Sequence, residues 1–193
     1  MAPSTGYNKI RTAVFISGAG SNLKSLIKFS KKNKSPISIE FIFSNNSKAK
    51  GLDYAIKYNI KKKVLNFKNK KLSENNLLGI LKKNNIKIIC LAGFMKILSE
   101  NFIKKFKGKI LNIHPSLLPK YKGLNTHKRV LNNKEKYSGC TVHLVSNKLD
   151  SGEIIIQKRV KILKNENEAS LAKKILAQEH KLYPKAIIKI LNL

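Results

Sequence analysis

Cysteine is scarce in this sequence. Its two cysteines, Cys90 and Cys140, have neither C-x-x-C spacing nor a His-rich neighbourhood. A structural zinc site or a disulfide framework needs such spacing or more cysteines, so neither is supported and we expect no metal. Both cysteines are predicted to be small buried residues.

Long apolar runs are absent as well. No stretch approaches the roughly 20 apolar residues that a membrane-spanning helix needs. The start, MAPSTGYNKIR, has no apolar stretch of the kind that secretory signals carry. For a chain of 193 residues we therefore expect a flexible lead-in over 1–10 and a single domain over 11–193. We also expect a cytoplasmic location and no membrane partner.

Acidic residues are few, since 40 Lys and Arg stand against 10 Asp and Glu, for a net charge of +30. Such a charge attracts nucleic acid or small anionic ligands. The lysines are scattered among many Ile and Asn residues and do not gather into one basic stripe with interleaved aromatics. We therefore favour a compositional bias and expect no specific nucleic-acid partner, with nucleic-acid binding kept as an alternative.

Short apolar runs alternate with stretches of helical period, a pattern typical of βαβ units with a parallel sheet. The later strands lack long helices between them, which predicts an antiparallel portion after the parallel one. Pro184 is expected to kink or restart the last helix. The predicted strands are 12–17, 37–44, 63–65, 86–91, 109–114, 141–145 and 153–160, and the predicted helices are 22–32, 49–58, 73–84, 99–106, 126–132 and one from 168.

A glycine-containing turn follows the first predicted strand, in AVFISGAGSNLKSLIKF. Gly18 and Gly20 allow close backbone approach, and the free N–H groups where Ser21 and Asn22 open a helix attract an anion. A dinucleotide fingerprint would have a third glycine where this chain has Leu23, so a single phosphate fits better than NAD. The alternative is that Ser21 or Asn22 merely caps the helix.

The stretch LNIHPSLLPKYKG places two polar side chains at the end of a buried strand. The side-chain period of two puts Asn112 and His114 on one face, and Pro115 ends the strand. Parallel sheets bind ligands beyond the carboxyl ends of their strands, so this pair would face a cleft. The alternating pattern around His143 indicates a structural or supporting role for that residue.

A histidine in a cleft needs a group that sets its protonation, and a nearby carboxylate favours the charged imidazole. Asp150 lies in the turn NKLDSGEI between two predicted strands, which could bring it close to His114. Because Asp is common in turns, ordinary turn chemistry is the alternative explanation, and the local sequence slightly favours it.

Seven segments together resemble the phosphoribosylglycinamide formyltransferases, a branch of the folate-dependent formyltransferase family. The match is ordered and extends from residue 12 to about residue 184. The HPSLLP segment is shared with other formyltetrahydrofolate-using enzymes, whereas the GSN loop is more selective. The segments are SGAGSNL (17–23), FSNN (43–46), LAGFMKIL (91–98), LNIHPSLLPKYKG (111–123), TVHLV (141–145), LDSG (149–152) and QEHKLYP (178–184).

The resemblance implies a single-domain α/β fold with an open, mostly parallel Rossmann-like sheet, helices on both faces and an antiparallel C-terminal portion. It also implies formyl transfer from 10-formyltetrahydrofolate to glycinamide ribonucleotide in purine synthesis, by a monomer or homodimer without a metal. A formyltetrahydrofolate hydrolase on the same scaffold is the alternative. By matching motif, the implied catalytic residues are Asn112, His114 and Asp150, the ribonucleotide-binding residues are Gly20, Ser21, Asn22 and Glu179, and the folate-binding residues are Lys70, Met95, Lys96, Ile97, Leu98 and Asn112.

The chain departs from the family pattern on the folate side. Lys96 and Lys70 stand where Arg is usual, and Asn125 replaces a frequent His. A lysine cannot reproduce the planar fork of Arg, so folate affinity is expected to differ while the catalytic residues stay unchanged.

Overall fold

Seven strands form one sheet in the computed structural model, which describes residues 8–192. The spatial order is β3-β2-β1-β4-β5-β6-β7, in which β1 to β5 pair in parallel and β6 pairs antiparallel with both β5 and β7. The strands are β1 Ile10–Ile16, β2 Ile37–Ser44, β3 Lys61–Val64, β4 Ile88–Leu91, β5 Lys109–His114, β6 Tyr137–Leu144 and β7 Ile154–Lys161. Most of the predicted lead-in, residues 1–7, lies outside the described residues, as does residue 193 of the predicted domain.

Residues 8–192 contain six helices, five of which lie between strands while the last follows β7. The sheet carries helices on both faces, so the predicted fold class, including its antiparallel end, is confirmed. The helices are α1 Ser21–Ser30, α2 Leu52–Lys57, α3 Lys70–Lys83, α4 Glu100–Lys105, α5 Thr126–Asn132 and α6 Glu168–Ile190.

The central strand β1 shows why both faces are covered. Ala13 and Phe15 point into the core beneath α3 and α4, while Val14 and Ile16 point into the core beneath α1 and α6. All four side chains are fully buried. A parallel strand buried on both faces has a continuous apolar run, which explains the sequence AVFI.

Helix α3 begins at Lys70, three residues before the predicted start at Ser73. The side chain of Asn69 accepts a hydrogen bond from Leu72 N at 3.1 Å and so caps the helix at that point. Strand β6 begins at Tyr137, four residues before the predicted Thr141, because it pairs with β7 along its whole length.

The last helix does not restart at Pro184, one of the two predicted outcomes, because α6 continues from Glu168 to Ile190. Proline has no N–H for the carbonyl of His180 four residues earlier, which would leave that oxygen without its helical partner. Ser25 of α1 donates its hydroxyl to this oxygen at 2.7 Å. The missing helical bond is therefore replaced by a contact between the two helices.

Both cysteines are buried and free, as predicted. Burial raises the pKa of each thiol to about 12, so both are held as the neutral thiol. In residues 8–192 no helix combines the length and apolar character needed to cross a membrane. Nor does this part of the chain hold a group of three His, Cys, Asp or Glu residues arranged for a metal ion.

Candidate active site

The carboxyl ends of three adjacent parallel strands define the candidate site. Strand β4 lies between β1 and β5, so the loops after β1 and β4 and the end of β5 meet at one edge of the sheet. Strands β1 and β5 are two strand spacings apart, or about 10 Å. This edge therefore brings the glycine turn and the Asn-His pair into one region.

Helix α1 presents a bare amino terminus at this edge. Gly20 is the N-cap residue, with φ 73°, and within the described residues no side chain caps the helix and its first turn has no acid. The backbone N–H groups of the first turn, together with the helix dipole, make such an end a binding site for an anion. Ser21 and Asn22 are the first two residues of the helix.

Gly20 is required by its conformation and its surroundings. Its positive φ is rarely adopted by residues with a side chain, and a Cβ added there would lie 2.8 Å from Gly51 Cα. Gly51 N also donates to Gly18 O at 3.0 Å, which fixes the turn against the start of α2. The turn is thus held rigidly against its neighbour.

Asn22 and Glu179 meet beside this turn, although 157 residues separate them in the chain. Asn22 Nδ2 donates to Glu179 Oε2 at 2.7 Å, and both side chains are buried. Burial raises the pKa of Glu179, an effect that the hydrogen bond from Asn22 only partly opposes. Asn22 Oδ1 is buried and accepts no hydrogen bond from the described residues, so it can accept one from a ligand.

His114 lies at the end of β5 with both ring nitrogens engaged. Nε2 lies 2.8 Å from the carbonyl oxygen of Tyr121, and Nδ1 lies 3.3 Å from Asp150 Oδ2. Because a carbonyl oxygen only accepts, Nε2 must carry a proton. Burial lowers the pKa of His114, and although the Tyr121 carbonyl and Asp150 raise it, the net effect is a pKa below the usual value.

Asp150 is the centre of a polar cluster with His114, Asn112 and His143. Its carboxylate accepts from Gly123 N at 2.9 Å and lies 3.4 Å from Asn112 Nδ2 and 3.6 Å from His143 Nε2. Burial raises its pKa, but the contacts with His143 and Gly123 and the nearby imidazoles outweigh burial and lower it overall. Asp150 is therefore an ionised carboxylate at neutral pH.

His143 belongs to this cluster more directly than its sequence pattern indicated. The antiparallel register places it opposite Asn112, whose Nδ2 lies 3.2 Å from His143 Nε2. His143 Nδ1 donates to the carbonyl of Leu144 at 2.8 Å, and its Nε2 faces both Asn112 Nδ2 and Asp150. This contact depends on the pairing of β5 with β6, which the local sequence does not predict.

The loop after β4 exposes two large apolar side chains at the same edge. Met95 is 62% exposed and Ile97 is 63% exposed, whereas Leu98 is buried in the core. Lys96 is exposed, and Lys70 borders a cavity of about 620 Å³ that Ser99 also lines. An exposed apolar pair of this kind marks a surface that a flat apolar ligand could cover.

Ser17 joins the two loops of the site and was missed by sequence reasoning. Its hydroxyl accepts from Met95 N at 2.7 Å and donates to Asn45 Oδ1 at 2.5 Å. Its own N–H donates to Gly93 O at 3.1 Å. Ser17 therefore fixes the start of the glycine turn to the loop that carries Met95.

The sequence pattern of the formyl transferase family matches residues 10–187. The chain is 38% identical over 177 residues to the phosphoribosylglycinamide formyltransferase of Escherichia coli K12, covering 90% of this chain and 84% of that protein. It is 41% identical over 182 residues to the human trifunctional purine biosynthetic protein adenosine-3, covering 93% of this chain. It spans only 18% of the length of that trifunctional relative.

Solved structures agree with these sequence matches. The phosphoribosylglycinamide formyltransferase of Brucella melitensis has a TM-score of 0.89 and 41% identity, covering 95% of this chain and 96% of that one. The enzyme of the same name from Anaplasma phagocytophilum has a TM-score of 0.87 and 42% identity, covering 93% and 85% of the two chains.

Proposed function

Because the chain belongs to the formyl transferase family, we propose that it is a phosphoribosylglycinamide formyltransferase that takes its formyl group from 10-formyltetrahydrofolate. The observation that carries this proposal is the cluster of Asn112, His114 and Asp150 at the same sheet edge as the bare amino terminus of α1. The acceptor is the amine of glycinamide ribonucleotide. The family uses formyl folate as its co-substrate.

The phosphate of the ribonucleotide binds at the first turn of α1. Gly20, Ser21 and Asn22 supply backbone N–H groups there, and a dianion benefits from the helix dipole. Glu179 lies next to Asn22, where a carboxyl group can accept hydrogen bonds from sugar hydroxyls. With about 10 Å between β1 and β5, a ribose fits between the phosphate and His114.

The folate lies along the loop after β4. Met95 and Ile97 would cover the apolar face of the pterin, and the backbone between Met95 and Leu98 supplies polar groups to its edge. Lys70 and Lys96 provide positive charge for the glutamate tail. Asn112 faces both substrates from the end of β5.

Formyl transfer begins when the amine of the ribonucleotide attacks the formyl carbon. A C–N bond forms, negative charge develops on the formyl oxygen, and the attacking nitrogen becomes cationic. Asn112 donates a hydrogen bond to that oxygen, and a protonated His114, whose ring nitrogens face the Tyr121 carbonyl and Asp150, stabilises its charge by electrostatic attraction. Removal of one such stabilising group typically costs about 10²–10³ in rate. The C–N bond to N10 of the folate then breaks.

Asp150 acts as the proton acceptor in this scheme. Its carboxylate favours the imidazolium of His114 by attraction, and it accepts the proton that the attacking nitrogen loses, directly or through a water. That proton is returned to N10 as the folate leaves, so the overall transfer releases none. No covalent intermediate with the protein is required.

The test is a transfer assay on purified protein with both substrates, comparing wild type with His114→Asn. We expect the variant to lose at least about 10²-fold in kcat while its circular dichroism and Tm stay close to those of wild type. Asp53→Asn serves as the control, because Asp53 is an exposed residue of α2. Near-normal turnover by His114→Asn would refute the assignment.

The same assay separates the transferase from a hydrolase. If the ribonucleotide is omitted, a transferase leaves the formyl folate intact, whereas a hydrolase releases formate at an unchanged rate. Folate turnover that does not depend on the ribonucleotide would overturn the proposal in favour of hydrolysis.

A further inference from the structure

Tyr121 stands out because its backbone adopts a left-handed conformation, with φ 58°. A residue with a large side chain pays for this conformation, and it persists only where the surroundings hold it in place. Its carbonyl oxygen points at His114 Nε2, at 2.8 Å. The strained residue is therefore in direct contact with the imidazole of the candidate site.

The side chain of Tyr121 is anchored on the far side of the loop. Its hydroxyl donates to Glu135 Oε1 at 2.8 Å and accepts from Asn133 Nδ2 at 2.9 Å. The guanidinium of Arg129 lies 5.4 Å from the centre of its ring. Three contacts outside the site thus hold the residue whose carbonyl faces His114.

We infer that Tyr121 is a positioning residue for His114: the anchored phenol holds the backbone carbonyl where it accepts the Nε2 proton of the imidazole. This inference rests on the proposed function for its effect on turnover. One consequence is that the proton gained or lost when the imidazole of His114 titrates is the one on Nδ1, which faces Asp150.

The direction of the effect follows from the groups around His114. The Tyr121 carbonyl and Asp150 raise the pKa of His114, whereas burial, His143 of β6 and Arg129 of α5 lower it. His127, also of α5, interacts with the same imidazole. If the Tyr121 carbonyl no longer holds its hydrogen bond with Nε2, one of the two effects that favour the imidazolium is lost, so the pKa of His114 must fall.

The experiment compares wild type with Tyr121→Phe, which keeps the ring over Arg129 and removes both hydrogen bonds of the hydroxyl. We expect the NMR titration midpoint of the His114 ring to move to lower pH. The pH at which kcat declines on the alkaline side moves in the same direction. Near that limb kcat falls about fivefold, as expected if the hydrogen bond between the Tyr121 carbonyl and His114 Nε2 is lost, while KM for both substrates changes little.

Glu135 supplies the second test, in case Tyr121→Phe folds poorly. Glu135→Ala removes the acceptor of the phenol and should reproduce the lower midpoint of His114. Glu135→Gln keeps an amide oxygen as acceptor, so the titration midpoint of His114 should stay at its wild-type value. Tyr137→Phe is the control, because Tyr137 lines the same cavity as Tyr121 but instead packs against Arg159.

An unchanged midpoint of His114 in both Tyr121→Phe and Glu135→Ala would overturn the inference. A uniform loss of Tm without a shift in that midpoint would also overturn it, because a purely structural role predicts that result. The titration needs no turnover, so a wild-type protein without formyl transfer would refute the proposed function and leave this test intact.

Discussion

The substitution Asp150→Asn separates the charge of the cluster from its shape. Asparagine has nearly the same size as aspartate, and its amide oxygen can still accept from Gly123 N, which contacts Asp150 Oδ2 at 2.9 Å. The loop should therefore keep its position, while His114 loses the carboxylate 3.3 Å from Nδ1. The variant removes the charge and, with it, the oxygen that faces Asn112 Nδ2 at 3.4 Å.

We expect Asp150→Asn to reduce kcat by about 10²–10⁴, the range typical of losing a positioned acid or base. Two effects contribute. The acceptor for the proton of the attacking amine is removed, and the pKa of His114 falls further because the carboxylate no longer raises it. The assay is the steady-state rate of formyl transfer as a function of pH, with the titration of the His114 ring measured in parallel.

Stability should respond to pH in a defined direction. The pKa of Asp150 is lower in the folded protein than its ordinary value of 3.8, so its ionised form stabilises the fold above that pH. This contribution is lost as the pH falls through the lowered pKa, and Asp150→Asn removes it altogether. The difference in Tm between wild type and variant should therefore shrink in strong acid.

Asp53→Asn is the matched control, since it removes the only other aspartate of the chain at an exposed position. It should leave kcat and the His114 titration unchanged. If Asp150→Asn retained normal kcat, or if the His114 midpoint stayed in place, the role given to the carboxylate would be wrong.

Two further substitutions test the proposed ribonucleotide site and the fold. Gly20→Ala should raise KM for the ribonucleotide more than KM for the folate. It should also lower the free energy of unfolding by about 1–2 kcal/mol, because an L side chain is strained at φ 73°. Gly79→Ala is the control, since an added Cβ there has nothing within 4 Å, and it should stabilise α3 slightly. Equal changes in both KM values would contradict the phosphate assignment. Ser25→Ala should lower the free energy of unfolding by about 1–3 kcal/mol in urea titration, because the carbonyl of His180 loses its donor, and unchanged stability would show that water replaces the hydroxyl.

The order of the elements and the edge that holds the site could be predicted from the sequence. Short apolar runs predict parallel strands, and the carboxyl ends of such strands define where His114 lies. The start of α3 was predicted less accurately, because it is set by a single capping hydrogen bond from Leu72 N to the side chain of Asn69. The His180 carbonyl, which Pro184 leaves without its helical partner, is satisfied by Ser25, a residue distant in the chain.

The site was only partly predictable for the same physical reason. Asn112 and His114 share a strand, so their common face follows from the period of two. The approach of Asp150 to His114, the contact of His143 with Asn112 and the carbonyl of Tyr121 all depend on pairings across the sheet and its loops. Such long-range contacts leave no periodic signal in the sequence.

The hydroxyl of Ser17 couples the movements of the two loops that it joins. It is bonded at once to the loop carrying Met95 and to Asn45 at the end of β2, and its residue begins the glycine turn. Neither loop can therefore be displaced without straining the other. In the proposed enzyme, a ligand bound at one loop is therefore expected to restrict the motion of the other.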